Sequence, residues 1–156
     1  MAENKPEEQR KENSASAVFA NARNRFPDLV GVKTERAVKG KARCTLEQRD
    51  GNSNAFESIH GGAVASLIDV AATAAARSMA VDIARVATLS LTITYMLPAR
   101  GPVAAEAVVL SSGKRIANTR VDVSTSDGTL VATALANIRL QCTKPEDPPA
   151  PRVRCD

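Results

Sequence analysis

At 156 residues the chain has the length of one ordinary domain, and with 44% hydrophobic but only 3% aromatic residues its core must be packed by Ala, Val, Leu and Ile. The formal net charge of +4 invites a nucleic-acid reading. The basic residues are spread over the chain with almost no interleaved aromatics, and no helix-turn-helix or RNA-recognition motif accompanies them, so that class is set aside.

Residues 1–13 are almost wholly polar with mixed charge, which predicts a disordered tail. The start lacks an apolar signal core, and its acidic residues argue against a transit peptide. Ala15 to Arg25 has helical composition, and a strand region follows around Val30 to Leu46. From Gly61 to Met79 the residues are mostly Ala, Val, Leu, Ile and Met, which predicts a helix buried on nearly all sides, too short to span a membrane. Beyond it Leu89, Leu91, Ile93 and Tyr95 alternate with Ser90, Thr92 and Thr94, and Val121 and Val123 alternate with Arg120, Asp122 and Ser124. These period-two runs are half-buried antiparallel strands. Ser111-Ser112-Gly113-Lys114 and Ser126-Asp127-Gly128-Thr129 supply the reversals between the last three strands, Asp-Gly being a strong hairpin signal. Residues 144–156 hold four of the eight prolines and form a second disordered tail, leaving 14–143 as a single domain. Three cysteines, an odd number without a disulfide pattern, point to the reducing cytoplasm. With one histidine, they also lack the spacing of metal ligands.

The chemistry concentrates between Asn54 and Asp69. Asp is a poor interior helix residue and costly to bury unpaired, yet Asp69 lies in the middle of the apolar segment with no partner close in sequence. At the segment's start, Gly61 and Gly62 follow His60 and leave backbone N–H groups unobstructed at the positive end of the helix dipole, where a developing oxyanion can be held. An acid and an oxyanion hole on one helix suggest acyl transfer. The eight-residue interval between Gly61 and Asp69 spans about 12 Å of helix axis, too far for both to act on one carbonyl. Two copies packed antiparallel across a two-fold axis bring the start of one helix beside the middle of the other, which predicts a homodimer with two shared sites.

The run His60-Gly61-Gly62, Asp69 nine positions after the histidine, and the strand Leu91-Thr92-Ile93-Thr94-Tyr95-Met96 followed by Pro98 resemble the hotdog-fold acyl-CoA thioesterases of the phenylacetate-degradation (PaaI-like) branch. The resemblance covers roughly Leu29 to Cys142. It implies an α+β fold in which a curved antiparallel sheet wraps around the long helix, an acyl-CoA substrate, no cofactor beyond the coenzyme A carried by that substrate, and a homodimer that pairs into a dimer of dimers. Carried over, Asp69 is the general base or nucleophile and the Gly61 N–H polarises the thioester carbonyl. Asn54 positions the water or the carbonyl, with Asn52 as a rival, and Thr88 assists the water. Glu57 stands where many relatives have a glycine.

Each residue also has a plainer reading. Asp69 could be a structural acid at the dimer seam, and Thr88 a β-branched strand residue. His60 is an obvious acid-base candidate, yet in the family it more often orients the loop. Gly62 is assigned to the substrate-binding wall, with close helix-to-sheet packing as its competitor. Lys114 and Arg115, with Arg100 and Arg139 as further candidates, could hold coenzyme A phosphates at a cleft mouth, against the alternative of a solvated face. Two other functions share the fold: an enoyl-thioester hydratase or dehydratase, which would need an acid-base pair such as His60 with Asp69, and a non-catalytic acyl-CoA sensor.

Overall fold

The computed structural model describes residues 25–79 and 83–142, without the side chains of Arg25, Ala84 and Cys142. The expectations for the two tails, and for a helix over residues 15–24, lie outside the described residues. A short helix α1 (Arg25–Val30) leads into β1 (Val32–Val38) and β2 (Lys41–Leu46). A 3-10 turn (Asp50–Asn52) and a loop then precede the long helix α2 (Gly61–Arg77), which is followed by β3 (Ile83–Tyr95), β4 (Val103–Ser112), β5 (Ile116–Thr125) and β6 (Leu130–Cys142).

The six strands form one sheet in the order β1-β2-β4-β5-β6-β3, with every neighbouring pair antiparallel. Helix α2 packs against all six, so the sheet wraps around it as the hotdog resemblance implies. Alternation supplies the inner face: Ala105 and Ala107 on β4, Ala117, Val121 and Val123 on β5, and Ala132, Ala134, Ala136 and Ile138 on β6 are all buried. They meet Leu67, Ile68, Ala71, Ala72 and Ala74 to Ala76 of the helix. Small alanines on both surfaces take the place of aromatic bulk. No helix among the described residues is long and apolar enough to cross a membrane.

The strand region before the helix is in fact a hairpin. Lys39 and Gly40 turn with φ values of 47° and 78°, the primed geometry that suits the strand twist, although Lys-Gly is a weak signal for it. Gly40 also donates its N–H to Ser78 Oγ at 3.0 Å, which ties this turn to the end of α2. Both hairpins between the last three strands fall where the sequence places them. At the second, Gly128 takes φ +88°, and the Asp127 carboxylate accepts from Thr125 Oγ1 and the Thr129 N–H, bonds that lower its pKa. Cys44 is fully buried in the core, and desolvation pushes its thiol up to about 11.

One core position conflicts with its surroundings. Thr119 on β5 is 1% exposed and its hydroxyl has no hydrogen-bond partner among the described residues. A buried unsatisfied hydroxyl costs about 1–3 kcal/mol, and valine has nearly the same shape without it. Thr119→Val is therefore expected to stabilise the fold by about 1 kcal/mol and to raise Tm by about 2–4 °C, as measured by thermal unfolding. A lower Tm would mean that the hydroxyl is satisfied in solution.

Candidate active site

The helix is less enclosed than its composition suggests. Its sheet covers one side only, and Gly62, Ala65, Ser66, Asp69, Val70, Thr73 and Arg77 form a stripe that the chain's own sheet leaves partly or fully exposed. Their spacing follows the helical repeat. Asp69 sits at the centre of that stripe and is half-buried, so within the single chain the expectation of a helix buried on nearly all sides is corrected. Ser66 and Thr73 turn their hydroxyls back to the carbonyls of Gly62 and Asp69, each at 2.8 Å, so neither competes for the carboxylate.

The partner of Asp69 comes from β3. Thr88 Oγ1 donates to Asp69 Oδ1 at 2.5 Å, and Oδ2 takes no hydrogen bond among the described residues. Strict alternation would have turned Thr88 away from the helix and Leu89 toward it. A bulge reverses this. Thr88 pairs with buried Ile138 while Ser90 pairs with Asn137, which leaves Leu89 as the extra residue, 53% exposed. The bulge aims the threonine at the carboxylate.

His60 caps the helix. Its backbone is extended (φ −60°, ψ 138°), and its Nδ1 accepts the Gly62 N–H at 2.9 Å. That bond commits the Gly62 N–H, and a Cβ at Gly62 would lie 3.1 Å from Nδ1. The glycine there makes room for the imidazole: its N–H is bonded to His60, and the contact a Cβ would meet comes from His60 rather than from the sheet. The Gly61 N–H, in contrast, has no acceptor among the described residues. Gly61 packs beneath Tyr95, whose ring lies 3.7 Å from where a Cβ would stand and whose hydroxyl donates to the Gly61 carbonyl at 2.9 Å.

Asn54 and Asn52 are separated by their bonding. Asn52 is 5% exposed, with its amide donating to the Val30 and Glu47 carbonyls and its oxygen accepting from the Arg49 N–H, which makes it a structural pin. Asn54 is half-buried and lines an open pocket of about 400 Å³ together with Gly61. Its side chain bonds Ser58 and the Phe56 N–H, shaping the loop that forms one wall. At Glu57 that loop takes φ +55°, a left-handed conformation that favours glycine, the residue the resemblance implies at this position. The pocket floor is apolar, with Ile59, Val64, Ala99, Val131 and Ala132 all buried. Phe56, Tyr95, Met96 and Arg100 stand at its exposed rim. The sequence offered no signal for Phe56, and for Tyr95 only its place in the matching strand Leu91 to Met96, with no role attached to it.

Within one chain these features form two groups. Asn54, His60, Gly61, Tyr95 and Arg100 gather at the start of α2. Asp69 and Thr88 lie together about 12 Å along the helix. Lys114 and Arg115, both exposed at the β4–β5 hairpin, belong to the second end: the strand row beside them runs from Ile116 through Arg139 to Ala87, next to Thr88. Of the basic candidates, only Arg100 lines the Gly61 pocket.

Known proteins share this fold. Residues 56–132 match the model of the thioesterase superfamily. Acyl-coenzyme A thioesterase 13 of Homo sapiens is 32% identical over 125 residues, an alignment covering 73% of this chain and 83% of that protein. Among solved structures, a conserved protein of Pseudomonas aeruginosa superposes with a TM-score of 0.71 at 28% identity, over 75% of this chain and 94% of that one. The PaaI protein from the phenylacetic acid degradation operon of Escherichia coli superposes with a TM-score of 0.74 over 85% of this chain and 94% of that one, and at 21% identity it attests the fold alone. The chain belongs to the thioesterase superfamily, as a thioester hydrolase built on the hotdog fold.

Proposed function

We propose that the protein hydrolyses acyl-CoA thioesters at two equivalent sites of a homodimer, each combining Asp69 and Thr88 of one chain with the Gly61 N–H of the other. The observation that carries this reading is the Asp69 carboxylate, oriented by Thr88 on a helix face that the chain's own sheet leaves open. Strand β3 supports the dimer. It is a 13-residue edge strand, long for an unprotected edge, with Leu89 and Tyr95 more than half exposed. Two such edges side by side would set two copies of α2 antiparallel, with the start of each near the middle of the other. Such dimers would in turn pair into tetramers.

In the proposed reaction Asp69 takes a proton from water, and the resulting hydroxide adds to the thioester carbonyl. The oxyanion of the tetrahedral intermediate accepts from the Gly61 N–H, reinforced by the helix dipole. Collapse breaks the carbon–sulfur bond, and the departing thiolate is protonated to give coenzyme A and the free acid. Direct attack by the carboxylate, giving a mixed anhydride that water then cleaves, uses the same groups. Asn54 would shape the wall beside the carbonyl. The capping bond of His60 favours an orienting role over proton transfer, and with it hydrolysis over a hydratase reaction. Water is the only co-substrate needed, and the proposed setting is the cytoplasm.

Lys114 and Arg115 stand at the Asp69 end of the sheet, where they would meet the coenzyme A phosphates, while Arg100 serves the rim of the Gly61 pocket. Thiol release from phenylacetyl, benzoyl and short-, medium- and long-chain acyl-CoAs, each compared with its N-acetylcysteamine thioester, tests the whole reading. The expected result is release from at least one series, with a preference for the coenzyme A form that weakens as salt is added. Binding without thiol release, or hydration of an enoyl-CoA instead, would overturn it.

A further inference from the structure

We propose that Tyr95 is a positioning residue that, together with His60, clamps the start of α2 so that the Gly61 N–H points at the thioester carbonyl; this rests on the reading of Gly61 as the oxyanion donor.

Two adjacent glycines make the first turn of a helix easy to distort, because neither has a Cβ to restrict its backbone. The carbonyl-binding N–H lies in that turn, so its direction must be set from outside the turn. Two side chains grip it. From the loop side, the His60 imidazole accepts the Gly62 N–H at 2.9 Å. From the sheet side, the Tyr95 hydroxyl donates to the Gly61 carbonyl at 2.9 Å, and its ring lies 3.7 Å from where a Gly61 Cβ would stand. The two bonds hold the two ends of the Gly61–Gly62 peptide. With that peptide fixed, Gly61 has little freedom left to swing its own N–H.

The placement of Tyr95 favours this role over simple packing. The residue closes β3, opposite buried Ala132, so the ring projects toward the helix from the last position of a paired strand. Yet the side chain is half exposed and lines the pocket. A phenylalanine would fill the same space, and only the hydroxyl needs the Gly61 carbonyl.

The test replaces the hydroxyl alone. Tyr95→Phe is assayed with phenylacetyl-CoA or octanoyl-CoA, whichever the wild type turns over faster. We expect kcat about tenfold lower and KM within about twofold, because a small misdirection of a preorganised donor weakens mainly the transition state. Two inhibitors supply an independent readout. A hexyl-CoA thioether, which has no carbonyl, should bind as it does to wild type, whereas trifluoroacetonyl-CoA, whose hydrated carbonyl has the tetrahedral geometry of the intermediate, should bind several-fold more weakly. Wild-type kcat in Tyr95→Phe, or equal weakening of both inhibitors, would overturn the clamp. Gly61→Val, assayed alongside, separates the two levels: if it loses activity while Tyr95→Phe keeps it, the clamp fails and the oxyanion reading stands. If Gly61→Val stays active, the oxyanion reading itself falls.

Discussion

Asp69→Asn is expected to fold, to bind a non-hydrolysable acyl-CoA thioether as wild type does, and to lose at least about a hundredfold in kcat, the scale of a missing general base or nucleophile. The substitution isolates charge and basicity from shape. An asparagine oxygen can still accept from the Thr88 hydroxyl, so the bond that orients the side chain from β3 survives. What disappears is the ability to take a proton from water or to attack the carbonyl. Because Asp69 lies on an open helix face and its carboxylate bonds only Thr88 among the described residues, the change should leave Tm near the wild-type value. Steady-state thiol release and thermal unfolding of the same preparation decide the matter. Activity within a few-fold of wild type would end the assignment, and a large fall in Tm would return Asp69 to a structural role.

The fold was legible because its signals are local and repeat. Alternation on β5 and the Asp127-Gly128 turn need no knowledge of distant residues, and each appears where the sequence puts it. The site was legible only in outline. His60-Gly61-Gly62 and Asp69 mark a helix start and an acid, but what each one touches depends on chain segments far away. Asp69 lacked a partner in sequence because Thr88 lies 19 residues on, aimed by a bulge that strict alternation does not foresee. The open side of the helix is hidden in the sequence for a related reason. Ala65, Ser66, Val70 and Thr73 of the open stripe are small residues that read in sequence much like the buried ones beside them. Asn52 stood as a rival to Asn54 until burial and bonding separated them. The left-handed turn at Glu57 sits on a residue type that gives no hint of it.

The second large effect concerns the shared site. A preparation containing Asp69→Asn chains should be nearly inactive, and so should one of Gly61→Val chains, since a branched side chain would crowd both the carbonyl-binding N–H and the Tyr95 ring 3.7 Å away. Mixed under conditions that let subunits exchange, the two should recover activity. In a hybrid dimer one site joins the intact Gly61 of the first chain to the intact Asp69 of the second, while the other site carries both lesions. Random pairing makes about half the dimers hybrids, each with one working site, so the mixture should approach about a quarter of wild-type activity. The same preparations combined without exchange provide the baseline. The separation of about 12 Å between Gly61 and Asp69 along α2 is what makes this outcome decisive. A site contained in one chain would be broken in every subunit of such a mixture, and no pairing could repair it. A hybrid that forms, as shown by native mass spectrometry, yet stays as inactive as its parents would rule out the antiparallel placement of the two helices.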